Sequence, residues 1–162
     1  MTFEVQDIWN WLEEIADPEV PVITIVDLGI VRHINIISPE HVSIDITPTY
    51  SGCPAMDVIG TQIKMLLLAK GIKTVDVNLI LHPAWTTDWM SENGKIKLKK
   101  YGIAPPKRLS KVKLDLFEED QIACPRCDAQ NTNLVSRFGS TSCKSLYQCM
   151  NCHEPFEHFK CH

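Results

Sequence analysis

No apolar run in the 162 residues approaches the roughly 18 needed for a spanning helix, so no membrane span is expected. There is also no basic excess. Lys and Arg number 16 against 20 Asp and Glu, a formal charge of −4. That balance argues against a general nucleic-acid binder, which would carry a basic stripe or patch. The opening residues, MTFEVQDIWNWLEEIADPEV, lack the basic start, apolar centre and small-residue cleavage site of a secretory leader, so the expected location is the cytoplasm. Internal repeats, low-complexity tracts and glycine-rich nucleotide loops are absent. A histidine–acid pattern that would activate a nucleophile is missing as well, so independent catalysis is not expected. Cysteine is nearly absent from the first 123 residues, where Cys53 stands alone. The other six of the seven lie at 124, 127, 143, 149, 152 and 161. In a reducing compartment such a cluster points to metal ligation before disulfides.

The remaining pattern is that of an α+β protein. Val5, Ile8, Trp9, Leu12, Ile15 and Ala16 recur at spacings of three and four, predicting a helix over 4–16. Asp17-Pro18 stops it, because the residue before proline disfavours helix. Residues 29–37 and 41–47 read as two strands joined at Ser38-Pro39-Glu40, most simply a hairpin. A helix follows from Pro54 to about Lys70, with Met56, Ile59, Ile63, Leu66 and Leu67 as its apolar stripe and Gly71 as its stop. Residues 73–81 alternate as a third strand. The order α-β-β-α-β predicts a two-layer α/β sandwich with helices on one sheet face. TTDWMSENGKIKLKKYGI reads as one further helix with Thr87 as its cap. Residues 95–113 carry eight Lys or Arg and no acid, and Pro105-Pro106 interrupts that run. The division expected is therefore 1–104 for the sandwich, 105–123 for a linker and 124–162 for a small cysteine-rich unit.

That last unit is too short to bury a sufficient core of its own. Cys124-x-x-Cys127 and Cys149-x-x-Cys152 are two knuckles of the kind that place four thiolates on one tetrahedral metal, as in a zinc ribbon. Structural zinc is the expected occupant. Four thiolates also suit an iron–sulfur cluster, so ligand identity alone does not select the metal. Cys143 and Cys161 exceed one four-coordinate site and are additional ligands or spare thiols. His153, His158 and His162 are competing donors.

Cys53 precedes Pro54 at the start of a helix, where free N–H groups and the helix dipole favour thiolate. A lowered pKa is therefore expected. Asp17 and Glu19 lie in the other polar loop, DPEVP. If the fold brings that loop to Cys53, a carboxylate–thiol pocket results. Asp27 and His82 are weaker candidates. Trp85 and Trp89, four apart, are read either as core or as an exposed ridge for a partner, and the basic run as either a solvated face or a dock for an acidic protein.

Two stretches carry a family resemblance. DPEVPVITIVDLGIVRHI followed by ITPTYSGCPA is similar to the small metal–sulfur-cluster assembly domain, with its DPE turn, its DLG turn and its loop ending in Gly-Cys-Pro. CPRC with FGSTSCKSLYQCMNCHEPFEHFKCH and KLKKYGIAPP resembles the PaaD (PaaJ) family, associated with the ring-epoxidising phenylacetyl-CoA oxygenase of aerobic phenylacetate degradation. The resemblance implies an accessory protein that assists iron–sulfur or di-iron centre assembly. It implies partners among the oxygenase subunits, the reductase or di-iron component, and in the iron–sulfur assembly machinery. It also implies a transient iron or cluster cargo handled by Asp17, Glu19, Thr47, Thr49 and Cys53. The family's cysteine-rich tail falls on Cys124, Cys127, Cys143, Cys149 and Cys152. The alternative is a non-catalytic scaffolding subunit of the oxygenase complex.

Overall fold

The apolar stripes predicted from periodicity close onto one sheet in a computed structural model that describes residues 3–106 and 121–160. The contacts divide the chain into Met1–Gly94 and Lys95–His162. In the first unit α1 (Val5–Leu12), β1 (Val31–Ser38), β2 (His41–Ile46), α2 (Ala55–Ala69) and β3 (Thr74–Leu79) follow the predicted order. β1 pairs antiparallel with β2, and β2 pairs parallel with β3. A parallel pair needs a crossover, and α2 supplies it. Val42, Ile44 and Ile46 of β2 are buried on the face that meets the helices, as are Ile59, Ile63 and Leu67 of α2. Each such side chain contributes about 1.5–3 kcal/mol when fully buried. The alternate residues of the sheet face solvent with a polar surface, where His41 bonds Asp76 at 2.7 Å and Asn78 bonds Asp45 at 3.0 Å.

Two helix ends show what sequence could and could not place. α2 stops as expected: Gly71 takes φ +98°, its N–H reaches the Leu68 carbonyl, and the Ile72 N–H reaches Leu67. α1 ends four residues sooner than its apolar pattern suggested. The Ile15 N–H bonds Leu12, the Ile15 carbonyl accepts from Ile25, and Ala16 bridges Thr24. Ile15 thus remains apolar and buried while its backbone has left the helix. The passage from 17 to 30 is held by local bonds. Asp17 Oδ1 accepts the N–H groups of Glu19 and Val20 at 2.9 and 2.8 Å.

The stretch 86–103, predicted as one helix, is instead two pieces. A short 3-10 turn, Thr87–Trp89, is followed by extended Met90 and then α3 (Glu92–Tyr101), which straddles the division between units. Ser91, not Thr87, caps α3: its Oγ accepts the Gly94 N–H at 2.9 Å and donates to Asp27 Oδ1 at 2.7 Å.

The second unit is one sheet ordered β4-β7-β6-β5, from β4 (Ile103–Ala104), β5 (Thr132–Ser136), β6 (Lys144–Cys149) and β7 (Pro155–Phe159). β4 adds in parallel to β7. Residues 103 and 104 therefore share a sheet with the cysteine-rich segment, and the contacts divide the chain at 94/95 where the sequence reading drew its border at 104/105. Most of the expected linker, 107–120, lies outside the described residues. No helix among the described residues is long and apolar enough to cross a membrane.

Candidate functional site

Each C-x-x-C knuckle is built the same way. The Cys124 N–H bonds the Ala129 carbonyl, as the Cys149 N–H bonds Glu154. The residue after each second cysteine, Asp128 or His153, turns through left-handed backbone, φ 59° and 61°. The two knuckles face each other across the ends of β5–β7. All four sulfurs lie within 4.8 Å of one another. Cys124 and Cys152 are 3.8 Å apart, and Cys127 and Cys149 are 3.5 Å apart. A tetrahedron of sulfurs at the zinc–thiolate bond length has edges of roughly 3.8 Å, so this donor set fits zinc. Cys124 and Cys149 are buried, and Cys127 and Cys152 are exposed.

The electrostatics of the cluster call for a cation. The Ala129 N–H favours the Cys127 thiolate, but the Cys152 sulfur, desolvation and the sulfurs of Cys149 and Cys124 together outweigh it and push this thiol up to about 12. The Cys149 thiol is drawn down to about 6, chiefly by the Cys152 N–H. Four adjacent thiols cannot all ionise without a positive charge among them. Cys143 is buried outside this group, its Sγ 3.0 Å from Thr141 Oγ1. Cys161 and His162 lie outside the described residues. His153 serves the knuckle turn, and His158 is buried in β7.

The first unit carries the other cysteine. Cys53 is half-buried just before α2 and belongs to no disulfide. The expected lowering of its pKa is reversed. Burial raises it, although the Ala55 N–H and the Tyr50 hydroxyl hydrogen-bond the sulfur and pull the other way. The charges of Glu19 and Asp17 raise it further. The helix start does supply its N–H, but it is outweighed. The same observation joins the two loops: the DPE turn lies within electrostatic reach of the thiol. Tyr50 is the member of this pocket that sequence reasoning missed, although it sits three residues before Cys53 in the same loop. Thr47 and Thr49 are buried at the loop's start. The Thr47 N–H bonds the Ile30 carbonyl at 2.9 Å, and its hydroxyl has no hydrogen-bond partner among the described residues.

Comparison with known proteins decides the family. The chain is 46% identical over 158 residues, 98% of its length and 93% of the relative's, to an Escherichia coli protein named as a component of 1,2-phenylacetyl-CoA epoxidase. The chain belongs to the PaaD family. The family described as the PaaD zinc beta ribbon domain matches residues 110–160, which include all four clustered cysteines. The family described as iron-sulfur cluster assembly protein matches residues 5–79, which include the Cys53 loop. A Porphyromonas gingivalis protein named Fe-S protein maturation auxiliary factor is 34% identical over 94 residues, 57% of this chain and 89% of that protein. Among solved structures, a domain of unknown function from Bacillus anthracis superposes with a TM-score of 0.53 at 29% identity, covering 57% of this chain and 89% of its own.

In this PaaD-family chain the residues beyond 79 explain several weaker candidates. Trp85 is buried, and its indole N–H donates to the Leu28 carbonyl at 2.9 Å. Trp89 lies beneath the Arg32 guanidinium, 3.4 Å from its ring centre. The pair is therefore not an exposed ridge: both indoles pack on the DLG turn and β1. Gly29 in that turn has φ +70°, and a Cβ there would strike the Trp89 carbonyl oxygen, so glycine is required. Asp27 is structural, accepting from Thr24 and Ser91. His82 is exposed. In the described part of the basic run, Lys99 pairs with Asp128.

Proposed function

We propose that this chain is an accessory maturation protein of the phenylacetyl-CoA epoxidase, with Cys53 as the point at which iron or an iron–sulfur cluster is held in transit. The observation that carries the reading is the juxtaposition of a half-buried thiol with the carboxylates of Asp17 and Glu19. The names of the relatives, an epoxidase component and an iron–sulfur maturation factor, support it. Cys53 is the cargo thiol. Asp17 and Glu19 supply negative charge beside it, and Thr47 and Thr49 shape the loop. Cys124, Cys127, Cys149 and Cys152 hold structural zinc, which would fix the two knuckles and thereby the ribbon sheet. No catalysis by the chain itself is required. Free thiols in both units suit the cytoplasm. The recipients on this reading are the reductase or di-iron components, with the iron–sulfur assembly machinery as donor.

The raised pKa fits a carrier. The carboxylates that oppose a lone thiolate attract a cation, and an arriving iron ion converts their repulsion into shared attraction. Empty, the thiol stays protonated and resists oxidation. Loading must release that proton, so iron affinity at Cys53 should rise about tenfold per pH unit between pH 6 and 8. Iron titrations of wild type and Cys53→Ser at three pH values check this. A pH-independent wild-type affinity removes the thiol from the site.

Cys53→Ala should leave the circular dichroism spectrum unchanged and abolish maturation. The readout is the iron content and epoxidase activity of oxygenase subunits isolated from cells that carry only the variant. Wild-type activity in those cells defeats the proposal. The scaffolding alternative loses one of its supports, because Trp85 and Trp89 are engaged within the first unit.

A further inference from the structure

The sheet of the first unit has two edges, and they are built differently. β1 carries register irregularities between Val31 and His33 and between Ile36 and Ser38. Bulges of this kind bend an edge away from pairing. β3 runs in unbroken parallel register with β2 from Thr74 to Leu79 and has no strand on its other side among the described residues. The N–H groups of Thr74 and Ile80 bond the carbonyls of Glu40 and Ile46. By alternation Asp76 and Asn78 also turn inward, so Val75, Val77 and Leu79 aim their N–H and C=O groups at the open edge. Behind that edge, between β3 and α2, lies a groove of about 300 Å3 lined by Met56, Val77 and Leu79 and flanked by Asp57 and Lys64. Gly60 also lines it, level with Val77: a Cβ there would sit 3.8 Å from that side chain, an ordinary contact. Leu79 is 54% exposed, a large apolar side chain at an unpaired edge.

We infer that a second copy of this chain occupies this edge, β3 against β3, antiparallel about a two-fold axis at Val77. The argument is self-complementarity, which a two-fold interface demands. With Val77 opposite the partner's Val77, Val75 meets the partner's Leu79, and all three positions present backbone groups outward. Asp76 falls opposite the partner's Asn78, so no like charges are apposed across the new ladder. Gly60 is level with Val77, which places the axis near the middle of α2. Asp57 and Lys64 lie three and four residues to either side of it. Antiparallel helices then bring Asp57 to the partner's Lys64 and Lys64 to the partner's Asp57. A heterologous strand would use the same backbone groups, but it would give no reason for opposite charges to be spaced evenly about the centre. The result is a continuous six-stranded sheet with the apolar groove covered.

The test is light scattering after gel filtration of the full, metal-loaded chain over a dilution series, with circular dichroism to verify folding. The expected wild type is a dimer. Asp57→Lys and Lys64→Asp should each raise the dimer dissociation constant about tenfold, and the double charge swap should restore it. Val77→Pro removes an outward N–H without touching the β2 ladder and should give a monomer. If that variant misfolds, the charge swap still decides. A wild type that is monomeric at every concentration overturns the proposal. So does a dimer indifferent to both reversals, a double swap that fails to restore, or a monomer that instead captures a heterologous β-strand peptide at this edge.

Discussion

Stripping the metal from this protein is expected to unfold β5–β7 while β1–β3 keep their protection against hydrogen exchange. The reason lies in the composition of the second core. Its buried members include Ala104, Ile122, Cys124, Cys149 and Phe156, with Ala129 and Tyr147 packed against them. Two of these, Cys124 and Cys149, belong to the four-cysteine cluster that fits the metal. A unit of this size gains no more than about 3–5 kcal/mol from a core, whereas a structural zinc site contributes about 10–16 kcal/mol at neutral pH. Losing the metal also leaves four crowded thiols, of which Cys127 is pushed up to about 12 by its neighbours. The first unit depends on none of this, since Ile8, Leu12, Ile44, Ile59, Ile63 and Leu67 are fully buried in a core of their own. The chain's four tryptophans, at 9, 11, 85 and 89, all lie in the first unit. Their fluorescence should therefore not change while the ribbon amides exchange. Cys149→Ser should reproduce the effect without chelator. Elemental analysis of the wild type should give about one zinc per chain. Iron with visible charge-transfer absorption would replace zinc in the account. Full protection of β5–β7 after chelation would refute the dependence itself.

The clustering of the four cysteines was legible in the sequence because knuckle spacing is local chemistry: two residues between thiolates dictate a turn, and two turns bring four sulfurs together. The layer architecture was legible for a related reason. The stripe from Met56 to Leu67 has one period, and Gly71 ends it. What sequence could not supply depends on contacts between distant residues. Ile15 is apolar at helical spacing, yet its backbone bonds Ile25 rather than continuing α1. The reading of Trp85 as part of an exposed ridge failed because its partner, the Leu28 carbonyl, is 57 residues away. Ile103 looked like the end of a basic helix, since strand addition to β7 leaves no mark in charge or proline content. The expected lowering of the Cys53 pKa followed from the helix start alone, and the structure adds burial and two carboxylates that reverse it. Thr47 and Thr49 were named from resemblance alone, whereas Cys53, Asp17 and Glu19 were also read from their loops; that the two acids lie within electrostatic reach of the thiol could only come from the fold.

Trp85→Ala is expected to destabilise the first unit by about 3–5 kcal/mol, a large share of the roughly 5–15 kcal/mol that holds a domain. Trp85 is 3% exposed and follows residues 5–79, the span that matches the assembly family's model. Its removal leaves a cavity and orphans the Leu28 carbonyl in the DLG turn. Trp85→Phe keeps most of the bulk and should cost only about 1–3 kcal/mol, the penalty for an unpaired buried carbonyl. Urea midpoints followed by the remaining tryptophans give both numbers, and a wild-type midpoint for Trp85→Ala would sink the account. The consequence extends to the thiol. The DLG turn runs into Ile30, whose carbonyl holds the Thr47 N–H at the start of the Cys53 loop. Loosening the turn should therefore speed alkylation of Cys53 by a small neutral reagent, at denaturant concentrations where the unit is still folded. If labelling stays at the wild-type rate in a destabilised variant, the tryptophan supports the fold without reaching the loop. If it rises, the segment after residue 79 helps keep Cys53 in place.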